Sequence, residues 1–312
     1  MKPRVAIATG DPAGIGPEIS LKAARDARVR EICTPVLFGD REVIALHGAI
    51  DGLFIHQVAQ DRPAIGTIAP QHGRAALAAA EAAIRAALAG EFEAVVGAPH
   101  TEAAIHAAGI AFDGYPSFVA RVCGLAPDDA VLMLCFAHAG RELRIAHVTL
   151  HASVADALRM ISQARVLRTI GKVAKALRQL GIEKPTIAVS GLNPHAGESG
   201  AFGREEIDVI TPAIEHARRA GVEVDGPIGA DTLFQRANYD AYVVMLHDQG
   251  HVAAKLLAPQ RIAALTIGTP VLFSSVGHGS ALDIAGQGRA DHGALVEAIT
   301  RLVGQRRRAG AT

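Results

Sequence analysis

Net charge is the first thing this chain lacks: 31 basic residues offset 31 acidic ones, and the one basic tract is the terminal run Arg306 to Arg308. A surface that follows nucleic-acid phosphates needs a basic stripe, so no nucleic-acid partner is expected. Cysteine is scarce as well. Cys33, Cys123 and Cys135 are odd in number and have no paired metal spacing, which predicts reduced, core-filling thiols and a cytoplasmic protein rather than a disulfide framework. No run approaches the roughly 20 apolar residues of a membrane span, and the apolar stretch in MKPRVAIATGDP is too short for a signal segment. A soluble protein with no membrane partner is expected. The chain also has no repeat, low-complexity block or Pro/Ser-rich linker, although its 312 residues exceed what one core usually supports. Two lobes joined by strands or helices crossing a cleft, or one large α/β unit, are therefore expected. Finally, GxGxxG and GK[ST] are both absent, so neither the usual dinucleotide fingerprint nor a Walker loop is available.

Half of the residues are apolar, and their pattern alternates. Short β-branched runs at 4–9, 34–39, 94–99, 143–150, 185–191, 241–246 and 263–268 read as strands. Between them lie alanine- and leucine-rich segments such as 73–90 and 156–181, which carry apolar residues at helical spacing and finish on Gly90 and Gly181, as C-terminal caps would. Strands alternating with covering helices define an α/β protein.

In open α/β sheets ligands bind beyond the carboxyl ends of the strands, and that is where the reactive side chains gather. RIAHVTLH ends at His151, IAVSGLNPHAGE turns through Asn193 and Pro194 to His195, and VVMLHDQGH ends at His247. Three neutral imidazoles at strand ends suit zinc or a related divalent ion and leave a fourth position for substrate. The bland alternative is that each is a satisfied core or loop histidine. His251 is a weaker candidate, and His147, four residues before His151 and deeper in the sheet, reads as structural. Two glycine-rich loops complete the inventory. ATGDPAGIGPEIS runs from the first strand into a helix, and either brings backbone close to an anion or is simply a tight turn with Pro17 in the first helical turn. In SSVGHGSALDIAGQGRAD, Ser274, Ser275, Gly277, His278 and Gly279 could wrap a nucleotide or form another turn.

Taken together, GDPAGIGPE, SGLNPHAGE, GADTLFQ, HDQGH with Lys255 four residues on, and SSVGHGSALDIAGQG resemble the signature stretches of the 4-hydroxythreonine-4-phosphate dehydrogenases, in that order and over essentially the whole chain. The resemblance implies two α/β/α lobes with a cleft between them, like isocitrate and isopropylmalate dehydrogenases. Residues 1–120 with 262–312 would form the nucleotide-side lobe and 121–261 the metal- and dimer-forming lobe. It also implies a homodimer with active sites at the subunit interface, a divalent metal (zinc), and NAD. His151, His195 and His247 fall on the family's metal histidines, the last contributed across the dimer. Asp231 and Asp248 fall on active-site carboxylates, and Lys255 falls on a substrate-contacting lysine.

The departures are informative. Where the vitamin-pathway enzymes carry GHTE to grip a substrate phosphate, this chain reads GYPS, Gly114 to Ser117. Two further phosphate-gripping positions, an Asn and an Arg, align with Ala264 and Phe273, which removes the planar fork that suits phosphate. Glu102 replaces a lysine. A branch of the family, the terephthalate cis-dihydrodiol dehydrogenases, is similar at these places, in GAPHTEAAIHAAGIAFDGYPS, MLHDQGHVAAKLLAP and SSVGHGSALDIAGQG. That likeness implies NAD-dependent oxidation and decarboxylation of a cyclohexadiene diol dicarboxylate. Asp248 or Asp231 would accept the hydroxyl proton, and Lys255 would meet a carboxylate. His100, Tyr115 and Phe273 would contact the ring or the second carboxylate.

Overall fold

Strands form where β-branched and small apolar residues are covered on both faces, which is the signature of a parallel sheet flanked by helices. The computed structural model describes residues 2–236, 238–259 and 261–309. The chain divides into two compact units, Met1–Ala130 with Gln260–Thr312, and Val131–Pro259.

The first unit begins with β1 (Arg4–Ala8), α1 (Gly16–Arg25), α2 (Ala27–Ile32), β2 (Thr34–Gly39), α3 (Arg41–Ala45), β3 (Phe54–Gln57), α4 (Pro70–Leu88), β4 (Ala94–Gly97), α5 (Glu102–Ala107) and α6 (Tyr115–Val122). The second unit carries β5 (Val131–His138), β6 (Arg141–His147), α7 (Val154–Met160), α8 (Gln163–Gln179), β7 (Thr186–Ser190), α9 (Thr211–Arg219), β8 (Glu223–Ile228), β9 (Ala241–Val244) and α10 (His247–Leu257). The chain then returns to the first unit with β10 (Ala263–Ile267), β11 (Phe273–Val276) and α11 (Gly293–Ala309). In the first unit the strand order is β3-β2-β1-β4-β11-β10, parallel except for β10 against β11. In the second it is β5-β6-β9-β7-β8, where only the hairpin β5–β6 is antiparallel. The hairpin turns on Ala139 and Gly140, both at positive φ, the backbone sign that matches strand twist.

All seven strands expected from the sequence are present, and four more were not legible. β3 (FIHQ) is a mostly exposed edge strand, β8 (EVDGPI) is an edge strand interrupted by Gly226 and Pro227, β11 (FSSV) is four residues with two serines, and β5 (VLMLCFAH) is as apolar as a buried helix. The 73–90 helix is α4, and Gly90 beyond it is left-handed, as is Gly181 after α8. The single helix expected over 156–181 is corrected to two, α7 and α8. Ile161 leaves the helical region and Ser162 caps the new start by accepting the Arg165 N–H, a local bond that competes with continuing the helix. Among the described residues no helix is long and apolar enough to cross a membrane, and Cys33 and Cys135 are buried while Cys123 is half-buried.

Candidate active site

The three histidines do not sit on strand residues. β6 stops at His147, β7 at Ser190 and β9 at Val244, so each candidate ligand lies three to five residues beyond, in a turn or at a helix start. The chains leaving β6 and β9 nevertheless stay paired. The Val148 N–H donates to the Val244 carbonyl at 2.9 Å and the Thr149 N–H to Met245 at 3.2 Å, and the Thr149 hydroxyl adds a second bond to Met245 at 2.7 Å. Two residues further on, His151 and His247 arrive side by side with ring centroids 5.8 Å apart.

His247 is the first residue of α10, and Gln249 fixes that start. Its Oε1 accepts the Met245 and Leu246 N–H groups at 2.9 and 3.0 Å, and its Nε2 donates to the Gly191 carbonyl at the end of β7 at 3.1 Å. Residues four apart on a helix share a face, so His247, His251 and Lys255 form one row. The imidazoles of His247 and His251 stack at 3.7 Å. The next row, Asp248, Val252 and Leu256, faces solvent, with Leu256 77% exposed. Asp248 reaches sideways, its carboxylate 2.7 Å from Nδ1 of His247, the pairing that orients a metal-binding imidazole and leaves Nε2 for the ion.

Behind this row His147 is buried, its Nδ1 3.4 Å from the Leu132 carbonyl and its Nε2 without a partner among the described residues. Burial, and then the neighbouring His251, hold its pKa down at about 3, so it is neutral. Its expected structural role fits this placement. Gly250 makes room for it: a Cβ there would stand 2.3 Å from Nε2 of His147. His251 is likewise pushed down to about 4, by burial first and by His247 next.

His195 lies in a different turn. Residues His195 to Ser199 all adopt left-handed backbone angles, a conformation that costs each non-glycine residue roughly 1 kcal/mol or more. Glu206, 2% exposed, holds it: its Oε1 accepts the Leu192 and Asn193 N–H groups, both at 2.7 Å, and its Oε2 accepts the Asn193 side-chain amide at 2.9 Å. These bonds keep its carboxyl below its ordinary range despite burial. Asp231 is exposed near the same turn, since a Cβ on Gly229 would lie 2.8 Å from its Oδ1 and 3.7 Å from the His195 Cα. The structure thus brings together His151, His247, Asp248 and His251, and separately His195 with Asp231. Among the described residues, one chain gathers no group of three His, Cys, Asp or Glu side chains able to hold a metal. The donor chemistry suits a borderline divalent ion: the imidazoles of His151 and His195 are exposed and that of His247 half-buried.

In the first unit, His100 follows β4 and stands edge-on to Phe112 and Tyr115, at 4.8 and 4.6 Å. Tyr115 is the first residue of α6 and turns inward. Its hydroxyl donates to the Ala98 carbonyl at 3.3 Å, and burial raises its pKa well above the phenol range. Phe273 lies under Tyr115, 4.8 Å away and fully buried, so it props the tyrosine rather than forming an open wall. Ser274 and Ser275 are buried within β11, whereas Gly277, His278 and Gly279 are exposed beyond its end. The first glycine loop is buried throughout from residue 5 to 21. It is tied down by bonds from Asp11 N to the Pro99 carbonyl and from Ile15 N to Ser280, and by the Thr101 hydroxyl donating to the Asp11 carboxylate. Sequence reading gave Glu206, Gln249, Asp11 and Phe112 no role. Their signal is a partner far along the chain, and only folding creates it.

A mixed α/β fold with histidines and carboxylates beyond the strand ends is the frame of an enzyme site, and the comparisons say of which family. The chain belongs to the family described as pyridoxal phosphate biosynthetic protein PdxA, whose profile matches residues 24–302. It is 46% identical to a 1,2-dihydroxy-3,5-cyclohexadiene-1,4-dicarboxylate dehydrogenase of Comamonas sp, over 97% of this chain and 98% of the relative. Among solved structures it is similar to a terephthalate 1,2-cis-dihydrodiol dehydrogenase of Burkholderia xenovorans LB400, with 42% identity, TM-score 0.70 and coverage of 97% and 98%. It is also similar to the 4-hydroxythreonine-4-phosphate dehydrogenase of Klebsiella pneumoniae, with 32% identity, TM-score 0.84 and coverage of 97% and 99%. A likeness to the isocitrate dehydrogenase of Methylococcus capsulatus, at 16% identity and TM-score 0.55 over 100% of this chain and 87% of that one, concerns the fold alone. The relatives are dehydrogenases, and the chain is an oxidoreductase.

Proposed function

We propose that the protein oxidises and decarboxylates terephthalate cis-dihydrodiol to protocatechuate, with NAD and a divalent metal, zinc. The observation that carries the substrate is the surround of His100. Phe112 and Tyr115 stand edge-on to it, and the Tyr115 hydroxyl is already committed to the Ala98 carbonyl. A phosphate dianion needs several converging donors, and this surround offers few. A ring substrate is compatible with such an apolar backing, since Phe112 and Tyr115 are buried behind His100 and present no cationic donors. The 46% identity to the Comamonas dehydrogenase supports the same reading.

His151 and His195 of one copy and His247 of a second would hold the metal, with Asp248 orienting His247 through the 2.7 Å contact. The metal would supply Lewis acidity at the reacting hydroxyl and the nicotinamide a hydride acceptor. Asp231 or Asp248 takes the hydroxyl proton. The alcohol carbon gives up its hydride and becomes a ketone, the carboxylate on the adjacent carbon leaves as carbon dioxide, and the electron pair it leaves behind completes the aromatic ring. Lys255, an exposed cation on the His247 row, holds one substrate carboxylate, and His100 meets the other. Gly277, His278 and Gly279 approach the cofactor with main chain, and Ser274 and Ser275 anchor that loop in the sheet. A homodimer is part of this reading, supported by Val252 and Leu256, 54% and 77% exposed beside Asp248, because apolar rows left open mark association surfaces.

The test is NAD reduction with the dihydrodiol beside 4-phosphohydroxy-threonine. The dihydrodiol should yield protocatechuate and carbon dioxide, and the phosphorylated threonine should show a kcat/KM at least about a hundredfold lower, the worth of two missing charged hydrogen bonds. Equal turnover of both would return the chain to the vitamin-pathway chemistry.

A further inference from the structure

The two glycine-rich loops, which the sequence leaves as separate features, pack on each other along α1. At the helix start, the Ile15 N–H donates to the Ser280 carbonyl at 2.9 Å, and a Cβ on Gly14 would stand 2.6 Å from the Ser280 Cβ. One turn on, Glu18 is 1% exposed and its Oε1 accepts the Ala290 N–H at 2.8 Å. Lys22, four residues further, donates to the same Oε1 at 2.7 Å and to the Gly288 and Ala290 carbonyls at 2.9 and 2.8 Å. Beyond the helix, Asp26 meets Nε2 of His292 at 3.2 Å. The segment 280–292 is therefore held at three successive levels.

The choice of an ion pair here has a physical reason. Where it meets α1 the segment presents Ser280, Gly288 and Ala290, and so offers few side chains to a hydrophobic contact there. What it does offer is main-chain carbonyls and N–H groups. A carboxylate accepting an N–H and an ammonium donating to two carbonyls grip such a segment directly. Burying the carboxylate is costly unless it is paired, and apolar packing would avoid that cost if mere attachment were needed.

We propose that Glu18 and Lys22 are positioning residues that hold the 277–290 segment in the conformation that receives the nicotinamide cofactor. The inference rests on the reading above that Gly277 to Gly279 approach that cofactor. The experiment uses the full chain carrying Glu18→Gln, Lys22→Met or both, with Lys22→Arg as the conservative control. Hydrogen exchange is measured at amides 286–292 without cofactor, NAD affinity by calorimetry without substrate, and then steady-state kinetics. Exchange is expected to rise tenfold or more in that segment. The Kd and KM for NAD should rise about tenfold, with kcat at saturating NAD within threefold and the KM of the dihydrodiol within twofold. Lys22→Arg should restore most of the affinity. The double variant leaves no unpaired buried charge and carries the same measurements if a single variant does not fold. Unchanged exchange overturns the tether. Faster exchange with unchanged NAD affinity overturns the link to the cofactor, and a wild-type protein that binds no NAD overturns the cofactor reading itself.

Discussion

His147 shows what a single residue contributes without entering the chemistry. It is buried, neutral and packed 4.7 Å from His251. As pH falls, the unfolded chain protonates this imidazole near 6.5, while the native chain resists until about 3. Protons therefore favour the unfolded state across that window, and the stability present above pH 6.5 is progressively lost below it. The loss from His147 alone at pH 5, relative to pH 7.5, is about 2 kcal/mol. Urea unfolding of the wild type and of His147→Phe at both pH values measures it, and the variant should lose about 2 kcal/mol less on acidification. Equal losses would assign the acid sensitivity to other groups. Phe273 makes the complementary point. Sequence comparison marks it as a place where phosphate recognition is missing, while the structure buries it under Tyr115, so Phe273→Arg would introduce an unpaired charge into a core and destabilise the unit before it altered specificity.

At the scale of elements, the active geometry depends on how turns are held rather than on the strands themselves. Gln249 joins the start of α10 to the end of β7 through three hydrogen bonds. Gln249→Ala leaves two N–H groups to find other partners, while the Gly191 carbonyl keeps the Ser190 hydroxyl at 2.7 Å, and the change should destabilise the protein by about 2–3 kcal/mol. If His247 is a metal ligand as proposed, the change should also weaken zinc binding about tenfold or more, because His247 stands two residues away and loses its fixed position. Thermal unfolding and metal titration test the two effects separately, and a variant with wild-type zinc affinity would show that α10 orients His247 without Gln249. The separation of α7 from α8 follows the same logic, since one serine hydroxyl at Ser162 redirects a helix.

For the whole molecule, the prediction concerns assembly. If His247 serves the metal site of a second copy, mixing inactive His247→Ala with inactive His195→Ala subunits creates hybrid dimers in which one of two sites has every ligand. Random pairing makes half of the dimers hybrid, so about a quarter of wild-type activity should return. Native mass spectrometry verifies the hybrids and the NAD assay reads the activity. No recovery in verified hybrids would mean that each site is built within one chain.

Much of this protein was legible in its sequence because the relevant physics is local. Periodicity marked the seven strands that bury β-branched runs, left-handed glycines marked the ends of α4 and α8, and histidines followed by turn residues marked where reactive groups leave the sheet. What the sequence by itself determined is the α/β class, the family and the chemical types at the site. Only the tertiary structure decided that His151 and His247 meet while His195 joins Asp231. It also decided that His147 stays uncharged, that Glu206 and Gln249 hold the turns, and that the two glycine loops brace each other. Each of these depends on residues far apart in the chain, whose contact exists only after burial has brought their strands and helices together.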